Sequence, residues 1–276
     1  MDKPDLQDIA EIGASANALF SLYHSMGIES AKDALVAAAE FLLTQVAVEN
    51  SGAIYKSAQA RHVDILNGDI YAALTLSRAF EVTGDARFLQ QAGLIVDHVE
   101  ARFGAWRTGW WPYAEKWDGT MAVGASVAYQ ATIIAFGMPI SRVLAADRAT
   151  EWEAVLATAL NTVAEQLPIG PTDETEAPSW SRDWANVWEI PLAFSKFPEL
   201  GDTKNYLQGR LHDVDRGIQA SGIEALRPKA LQNAGRTPVT SLYRKAATFA
   251  GFLSDVYMTS NVELPKFSSP ASRSGS

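Results

Sequence analysis

The architecture of this chain is set by one segment, Asp64-Ile-Leu-Asn-Gly-Asp-Ile-Tyr-Ala-Ala-Leu-Thr-Leu-Ser-Arg-Ala-Phe-Glu-Val-Thr-Gly-Asp85. Its apolar residues recur with the period that places them on one side of a helix, which predicts a helix from about Ile65 to Val82. Gly84 is the residue type that ends helices, and a second helical pattern runs from about Arg87 to Phe103. The segment therefore predicts two consecutive helices joined by a tight turn, a helical hairpin.

The same kind of turn recurs along the chain. Turns between paired helices fall at Gly27, Gly84, about Asp147 and Gly201, a spacing of about 58 residues. A period of this size with two helices in each unit is typical of stacked hairpins, whose apolar faces are buried only by their neighbours. The sequence predicts an all-α fold, an (α/α) toroid or incomplete barrel of about four to five hairpins.

Seven more helices are predicted from the same periodicity. They run from about Leu6 to Met26, Ser30 to Val46, Met121 to Gly137, Thr150 to Gln166, Arg182 to Phe197, Thr203 to Ala220 and Thr240 to Thr259. Pro139 should end or kink the fifth helix, which can resume to about Ala145. The odd-numbered helices are richer in apolar residues, Ala and Gly, which predicts that they form an inner layer and the others an outer layer. One domain is predicted over residues 1–262, followed by a disordered tail over 263–276.

Composition limits the function classes. A net charge of −9 argues against nucleic acid as the main partner, because phosphate binding needs a basic surface. The chain has no cysteine, which excludes disulfides and thiolate chemistry. No stretch reads as a membrane span or a signal peptide, so a cytoplasmic protein is predicted, although an exported protein that had lost its leader would read the same. The oligomeric state cannot be read from the sequence.

Common cofactor and metal motifs are absent from the sequence. It contains no HExxH, no phosphate-binding glycine loop, no GxSxG and no Asp-rich DDxxD element. The histidines His24, His98 and His212 lie within predicted helices, with no partner at the spacing of metal ligands, and are interpreted as structural or surface groups. No cofactor and no metal are therefore predicted.

Long connections lead into the predicted inner helices. Four of them, Asn50–Asp64, Gly104–Thr120, Leu167–Ser181 and Ile223–Val239, are predicted to open on one face, at the amino ends of those helices. Long loops in a compact helical domain are usually functional, and helix amino ends favour anions. The sequence thus predicts a cleft at this face.

The second of these loops holds four of the eight tryptophans of the chain, beside Tyr113, Glu115, Lys116 and Asp118. Indole faces next to charged groups suit a sugar, whose C–H faces stack on the rings while its hydroxyls and carboxylates accept hydrogen bonds. A polysaccharide or oligosaccharide is therefore the predicted partner. The alternative is that these tryptophans fill gaps between helices.

Residues in and beside the loops are the candidates for binding a carboxylated sugar. They are Tyr55, Lys56, Arg61, His62, Asn67, Arg107, Trp110, Trp111, Lys116, Trp180, Arg182 and Asp183. A structural alternative stays open for Asp64 and Asn67, either of which could cap the third helix. The residues Trp180, Trp184 and Trp188 recur every four positions, a pattern more typical of a core than of a binding site.

The same loops hold candidates for proton transfer. Removing the proton next to a sugar carboxylate needs a base, an acid and donors that stabilise the developing negative charge. Tyr113, Tyr129 and Glu115 are the candidate acid and base. Lys56, Arg61, Arg107 and Lys116 are the candidates for charge stabilisation.

Three stretches resemble one enzyme family. Asp64–Asp85 is similar to the "LNG-x-IYAL…L…TGD" helix of D-glucuronyl C5-epimerase catalytic domains, Trp111-Pro-Tyr113 to their W-x-Y loop, and Ser126-Val-Ala-Tyr-Gln130 to their next helix. The matches cover about residues 50–135, a third of the chain. The resemblance implies an (α/α) toroid that acts on uronic acid residues of a polysaccharide, with tyrosines and a carboxylate moving the C5 proton.

Carried over to this sequence, the resemblance makes Tyr113 the loop tyrosine and Tyr129 the helix tyrosine, and it places Asn67 in the lining of the site. The chain departs from the family at Gln130, where a histidine is usual, and at Ala114-Glu115, where the family has Asp-Leu. Similar LNG and TGD turns occur in N-acylglucosamine 2-epimerases, unsaturated glucuronyl hydrolases and polysaccharide lyases.

Three functions follow as hypotheses. The first is an enzyme that abstracts the C5 proton of a uronate, either an epimerase or a lyase. The second is a glycoside hydrolase of the same fold that uses a carboxylate pair, either Glu115 with Asp183 or Asp64 with Asp118. The third is a non-catalytic module that binds a glycan or a protein.

Overall fold

A computed structural model describes residues 8–166, 189–200 and 203–222 of the chain, and the statements below refer to these residues. The predicted helix from Thr240 to Thr259, the third and fourth long loops and the predicted tail lie outside them. So do Trp180, Arg182 and Asp183 and the first part of the seventh predicted helix, residues 182–188.

The described elements are eight α-helices, one 3₁₀ helix and three short strands. The α-helices are α1 (Ile9–Met26), α2 (Glu29–Leu43), α3 (Leu66–Thr83), α4 (Ala86–Arg102), α5 (Val127–Gly137), α6 (Ala146–Gln166), α7 (Glu189–Ser195) and α8 (Thr203–Ser221). The 3₁₀ helix is Met138–Val143, and the strands are β1 (Asp64–Ile65), β2 (Ala114–Glu115) and β3 (Met121–Val123). None of the described helices combines the length and apolarity that crossing a lipid bilayer requires.

The chain divides into two compact units, Met1–Trp180 and Ser181–Ser276. The first contains α1 to α6 and the three strands, and in the second α7 packs against α8. The single domain expected over residues 1–262 stays a prediction.

Within the first unit the helices form two layers. The helices α1, α3 and α5 pack side by side, while α2, α4 and α6 each pack against the preceding inner helix. Every residue of α3 from Leu66 to Ala79 except Asn67 is buried, whereas α4 buries only one side, through Phe88, Ala92, Ile95, Val96 and Val99. An inner helix meets neighbours on all sides and an outer helix meets them on one, which explains the difference. The predicted all-α fold with inner and outer helix layers is confirmed.

The two turns of α1–α2 and α3–α4 are those expected from the sequence. Gly27 and Gly84 have φ of 66° and 72°, and their N–H groups donate to the carbonyls of Tyr23 and Phe80. Residues with a Cβ are strained in this left-handed conformation, so glycine ends each helix.

Three predicted boundaries are wrong. The fifth helix begins at Val127 and not near Met121, because Met121–Val123 pair with β2 and the Ser126 side chain caps the helix by accepting from the N–H of Tyr129. The second helix ends at Leu43 because Val46 forms a β-bridge with Ile54.

The third wrong boundary is the start of the sixth helix, which lies at Ala146 and not near Thr150. A 3₁₀ helix with Pro139 in its first turn fills the interval after α5. The end of α5 at Gly137, just before this proline, agrees with the prediction.

The close approach of α1 to α3 depends on Gly13. A Cβ added there would lie 2.4 Å from the Cβ of Tyr71, far inside van der Waals contact. We expect Gly13→Ala to lower the free energy of unfolding by about 1–3 kcal/mol, because a tightly packed core cannot admit the methyl group without strain. Urea denaturation measures the change.

The matched control for this prediction is Gly93→Ala in α4, where an added Cβ meets no atom within 4 Å. Alanine is the better helix former, so this substitution should raise the free energy of unfolding by about 0.5–1 kcal/mol. A Gly13→Ala protein as stable as the unchanged chain would contradict the proposed packing of α1 on α3.

Candidate functional site

A small antiparallel sheet joins the first two long loops. Asp64 of β1 pairs with Glu115 of β2, and Ala114 of β2 pairs with Val123 of β3. Since β1 runs directly into α3 and β3 closely precedes α5, both loops meet at the amino ends of two inner helices. This is the arrangement predicted for the first two loops.

Three buried carboxyl groups, one imidazole ring and one guanidinium group lie close together at this sheet. We call Asp64, Asp69, His98, Arg102 and Glu115 the carboxyl cluster. The exposed fractions of Asp64, Asp69 and Glu115 are 3%, 0% and 2%. Buried carboxyl groups are rare without specific partners, so their contacts define what this cluster can do.

Two side chains one turn apart on α4 contact the two paired strands. The Nε2 of His98 lies 2.7 Å from Oδ2 of Asp64, and Arg102 donates two hydrogen bonds of 2.7 Å to the two carboxylate oxygens of Glu115. Cross-strand neighbours project to the same side of a sheet, which is why α4 can reach both carboxylates. The hydrogen bonds from Arg102 to Glu115 raise the pKa of the Arg102 guanidinium.

The protonation of the His98 ring follows from its neighbours. The side-chain oxygen of Asn50 accepts from the N–H of Gly52 at 2.9 Å, so its amide nitrogen faces Nδ1 of His98 at 3.0 Å. This amide nitrogen can only donate, and Nδ1 must therefore accept. In the neutral ring Nε2 then carries the hydrogen and donates it to Asp64.

Asp69 is the member of the cluster with the most perturbed titration. Its Oδ1 accepts a hydrogen bond of 2.8 Å from the N–H of Ile54. Complete burial and then the negative charge of Asp64 raise the pKa of Asp69 well above its usual range. Strongly perturbed carboxyl groups concentrate at functional sites, which makes this cluster the leading candidate for proton-transfer chemistry.

The same residues are the candidates for holding a metal among those described. Asp64, Asp69 and His98 each offer a ligand atom, and these atoms lie within 4.8 Å of one another. A metal-bound histidine needs the lone pair of a ring nitrogen, however, and here Nδ1 accepts from Asn50 while Nε2 donates to Asp64. The contacts of His98 therefore fit a hydrogen-bonded cluster better than a metal site.

Beside the cluster, the two loops bring several predicted binding residues together. We call Tyr55, Arg61, His62, Lys116 and Trp117 the basic aromatic rim. The Trp117 ring meets Tyr55 edge-on at 5.8 Å, its N–H donates to the carbonyl of Arg61 at 2.9 Å, and the Arg61 guanidinium lies 4.7 Å from the Tyr55 ring centre. The side chains of Arg61, His62 and Lys116 are exposed.

Trp117 was missed as a binding candidate, although its place in a loop with four tryptophans was the signal that could have singled it out. Tyr55 is itself buried, and its hydroxyl donates to Glu49 at 2.5 Å. Lys56 lies 3.6 Å from the carboxylate of Asp8, in a contact that holds the loop to the start of α1. Asn67 is half-buried, and its side-chain oxygen has no hydrogen-bond partner within the described residues.

The two candidate catalytic tyrosines lie against each other. The rings of Tyr113 and Tyr129 are stacked, with centres 4.1 Å apart and planes at 19°. Tyr129 is buried and Tyr113 is half-buried. The structure thus brings this predicted pair together, and their roles as acid and base stay predictions, as does the role of Glu115.

The tryptophans of the second loop divide between the rim and the core. Trp111 is 2% exposed, its N–H donates to the carbonyl of Val99 at 2.7 Å, and its ring packs on Phe103 and Trp152. Trp110 is equally buried. Both rings contribute to packing, and their predicted part in sugar binding stays a prediction.

Gln130, which stands where the resembled family usually has histidine, has a packing role in this structure. Its side-chain oxygen accepts from the N–H of Trp111, and its amide nitrogen donates to the carbonyls of Gly109 and Ala159. It therefore ties the second loop to α5 and α6. Arg107 is exposed and lines a cavity of about 640 Å³ with Trp110 and residues of α6, and no residue of the carboxyl cluster lines that cavity.

Two carboxylate pairs were suggested for a hydrolase, and the structure describes both members of only one of them. Asp183 lies outside the described residues, so its pairing with Glu115 has no structural description. Asp118 is exposed and accepts from the N–H of Thr120, a contact that lowers its pKa. Asp69, which the sequence analysis did not single out, is the carboxyl group found beside Asp64.

Comparison with solved structures identifies the fold. The chain is similar to unsaturated glucuronyl hydrolase from Bacillus sp. GL1, a protein responsible for the degradation of glycosaminoglycan, with a TM-score of 0.55 and 16% identity over 79% of this chain and 61% of that one. It is similar in the same degree to a variant of UGL with the saccharide dGlcA-Glc-Rha-Glc, with a TM-score of 0.54 and 16% identity over 77% and 60% of the two chains.

These similarities define the class of fold as an (α/α) barrel, as predicted. The chain spans about three fifths of the length of these hydrolases. No protein-family model matches the chain, and neither does any curated protein. The specific resemblance to D-glucuronyl C5-epimerases is not supported, whereas the (α/α) fold that the resemblance implied is.

Proposed function

We propose that this protein is a carbohydrate-active hydrolase that acts on saccharides containing uronic acid. The observation that carries the proposal is the pair Asp64 and Asp69, buried at the amino end of an inner helix in a fold similar to that of unsaturated glucuronyl hydrolases. The pKa of Asp69 is raised, which favours the combination of a carboxylic acid at Asp69 with a neighbouring carboxylate. Hydrolysis of a sugar linkage commonly uses such a combination.

Asp64 is the proposed proton-transfer residue. It is the first residue of β1, which connects the first loop to α3, and one of its two carboxyl oxygens contacts His98. Hydrolysis requires a proton for the departing sugar oxygen and a base for the attacking water, and one carboxyl group can serve both steps in turn. The raised pKa of Asp69 favours its protonated form, which makes it the source of the proton that Asp64 passes to the departing oxygen.

The basic aromatic rim is the proposed binding surface for the uronate. Arg61, His62 and Lys116 offer donors and positive charge to a sugar carboxylate, and the Trp117 ring offers an apolar face to the sugar C–H groups. In the sequence, Arg61 and His62 lie within three residues of Asp64, and Lys116 and Trp117 directly follow Glu115, which pairs with Asp64 in the sheet.

The proposal is tested by incubating the purified protein with two sets of oligosaccharides. One set ends in an unsaturated uronate, such as dGlcA-Glc-Rha-Glc, and the other contains saturated uronates. A hydrolase releases a new reducing end, and loss of the ultraviolet absorbance of the unsaturated sugar follows if that sugar is the one released. Absence of new reducing ends from both sets would overturn the proposal.

A second candidate, C5-proton abstraction by an epimerase or lyase, is favoured by the stacked pair Tyr113 and Tyr129. The same reactions run in deuterated water separate it from hydrolysis. An epimerase introduces deuterium at C5, and a lyase creates the absorbing double bond that a hydrolase would remove. Saturable binding without any of these changes would instead favour the third hypothesis, a non-catalytic glycan-binding module.

A further inference from the structure

We propose that Asp64 and Asp69 form a one-proton pair, in which Asp69 carries the proton and donates it to Asp64, and in which His98 is the positioning residue that fixes the direction of this hydrogen bond. The number and location of the protons on these two carboxyl groups bear on how the site would carry out the proposed function. The catalytic meaning of the pair rests on that function, but the pair itself exists or fails independently of any substrate.

The four carboxyl oxygens of Asp64 and Asp69 differ in their hydrogen-bond partners. Oδ2 of Asp64 contacts His98 and Oδ1 of Asp69 accepts from Ile54, so one oxygen of each group is occupied. The other two, Oδ1 of Asp64 and Oδ2 of Asp69, are buried and have no hydrogen-bond donor among the described residues. Since buried oxygens without a donor are costly, both require a hydrogen that is not yet accounted for.

A single proton satisfies both oxygens. Placed on Oδ2 of Asp69, it is donated to Oδ1 of Asp64, and neither group is then left with an unpaired buried oxygen. Two adjacent carboxylates without this proton would place two negative charges in a site from which water is excluded. Burial and the charge of Asp64 both raise the pKa of Asp69, in agreement with this assignment.

The direction of the neighbouring hydrogen bonds decides which of the two carboxyl groups holds the proton. The hydrogen bonds run in one direction from the backbone of Gly52 through Asn50 to His98, and His98 donates to Asp64. Asp64 already accepts one hydrogen from this chain, so it completes its contacts by accepting a second one. Among the described residues, Asp69 accepts from Ile54 through Oδ1, and its Oδ2 has no such partner and can carry the hydrogen that is donated.

Other ionisable groups face the pair from α4 and from β2. On α4 these are His98 and Arg102, and on β2 the facing group is Glu115. Arg102 is the guanidinium of the cluster, but it donates two hydrogen bonds to the carboxylate of Glu115 and not to either aspartate of the pair. The cluster therefore has three carboxyl groups and one guanidinium, and the shared proton reduces the imbalance of charge.

The assignment gives stability a defined pH dependence. The pKa of Asp69 is raised on folding, so the folded protein binds a proton that the unfolded chain releases above about pH 4. The free energy of unfolding should therefore fall as the pH rises from that value through the pKa of Asp69 in the folded state. In Asp69→Asn the amide places a permanent donor where the proton was and keeps an oxygen for Ile54, so this component of the pH dependence should disappear.

The direct test is carbon NMR of the full chain labelled at the aspartate carboxyl carbons and titrated with acid and base, without substrate. Signals of Asp64 and Asp69 are assigned from Asp64→Asn and Asp69→Asn, and the exposed Asp118, whose pKa is lowered, is the internal reference. We expect Asp69 to remain protonated over a pH range in which Asp118 has fully ionised. Ionisation of Asp69 together with Asp118 would overturn the one-proton pair.

Two variants of His98 test its positioning role. In His98→Gln a side-chain amide can still donate to Asp64, and we expect Asp69 to titrate as in the unchanged protein. In His98→Ala the donor is lost, so the proton is no longer confined to Asp69 and the two carboxyl signals should titrate together. Equal behaviour of the two variants, each checked for folding by circular dichroism, would overturn the role given to His98.

The same NMR sample distinguishes a proton from a metal ion. Addition of Mg²⁺, Ca²⁺ or Zn²⁺ should leave the signals of Asp64 and Asp69 unchanged at neutral pH. A saturable shift of both signals with release of a proton would show a cation site and would overturn the inference. None of these measurements depends on turnover, so a failed search for hydrolase activity and a failed proton assignment are separate results.

Discussion

Replacement of Asp64 by Asn is expected to reduce hydrolysis of uronate-containing oligosaccharides by about 10²–10⁴-fold, the usual contribution of a positioned acid or base. The substitution preserves the size of the side chain and its ability to accept from His98, but it removes the group that exchanges a proton. Initial rates of reducing-end formation under saturating and limiting substrate measure the effect. The loss should appear in kcat, because the interaction is made with the transition state.

The matched control for this prediction is Asp33→Asn, an aspartate exposed on α2 and remote in sequence from both loops. It removes the same charge and should leave the rate unchanged. If Asp64→Asn retains full activity, Asp64 is not the proton-transfer residue, and the stacked tyrosines become the leading candidates. Thermal unfolding of both variants excludes a general loss of folded protein as the cause.

Replacement of Trp111 by Ala is expected to lower the free energy of unfolding by about 3–5 kcal/mol, as for other large buried aromatic side chains. The reason is its place in the core, where the ring packs on Phe103 and Trp152 and its N–H donates to the carbonyl of Val99. The alanine variant loses these contacts and leaves a cavity. Urea denaturation followed by circular dichroism measures the loss.

Two further substitutions separate packing from sugar binding. Trp111→Phe keeps an aromatic ring in the core and should cost less stability than Trp111→Ala, with KM unchanged. Trp117→Ala, on the half-buried ring of the basic aromatic rim, should raise KM with a smaller effect on unfolding. A raised KM for Trp111→Phe would contradict the assignment of Trp111 to the core.

The helical hairpins could be predicted from the sequence because the residues that specify a helix and its end are close together in the chain. A helical period followed by glycine at Gly27 or Gly84 specifies a helix and its end within a single turn. The short sheet gave no such signal, since strands of two or three residues are too brief to show alternation. Met121–Val123 was therefore joined to the helix that follows it.

Asp64 and Glu115 were both candidates from the sequence, but the contacts of His98 and Asp69 in the carboxyl cluster could not be predicted, for a different physical reason. His98 was interpreted as a structural or surface residue because no partner lies near it in the chain, whereas its partners Asp64 and Asn50 precede it by 34 and 48 residues. Only the packing of α4 on α3 brings them together. Asp69 occupies an ordinary helical position in the sequence, and its complete burial depends on the first loop, which supplies the N–H of Ile54.

The C5-epimerases that the sequence resembles and the glucuronyl hydrolases to which the structure is similar have the same class of fold but catalyse different reactions. A scaffold of helical hairpins supports several chemistries, and the side chains of a site decide among them. Here Gln130 stabilises the second loop where a histidine is usual in the epimerases, and an aspartate pair is buried nearby. These residues favour the hydrolytic alternative. The reactions in deuterated water distinguish hydrolysis from abstraction of the C5 proton.

The pairing of β1 with β2 has a consequence for how the molecule is assembled. Asp64 and Glu115 are separated by about 50 residues, and the whole hairpin of α3 and α4 lies between them. Such a contact of high sequence separation contributes late to folding, after local helices have formed. The hairpin should therefore form before the sheet, so that the carboxyl cluster becomes complete only in the final steps, and substitutions in the sheet should accelerate unfolding more than they slow folding.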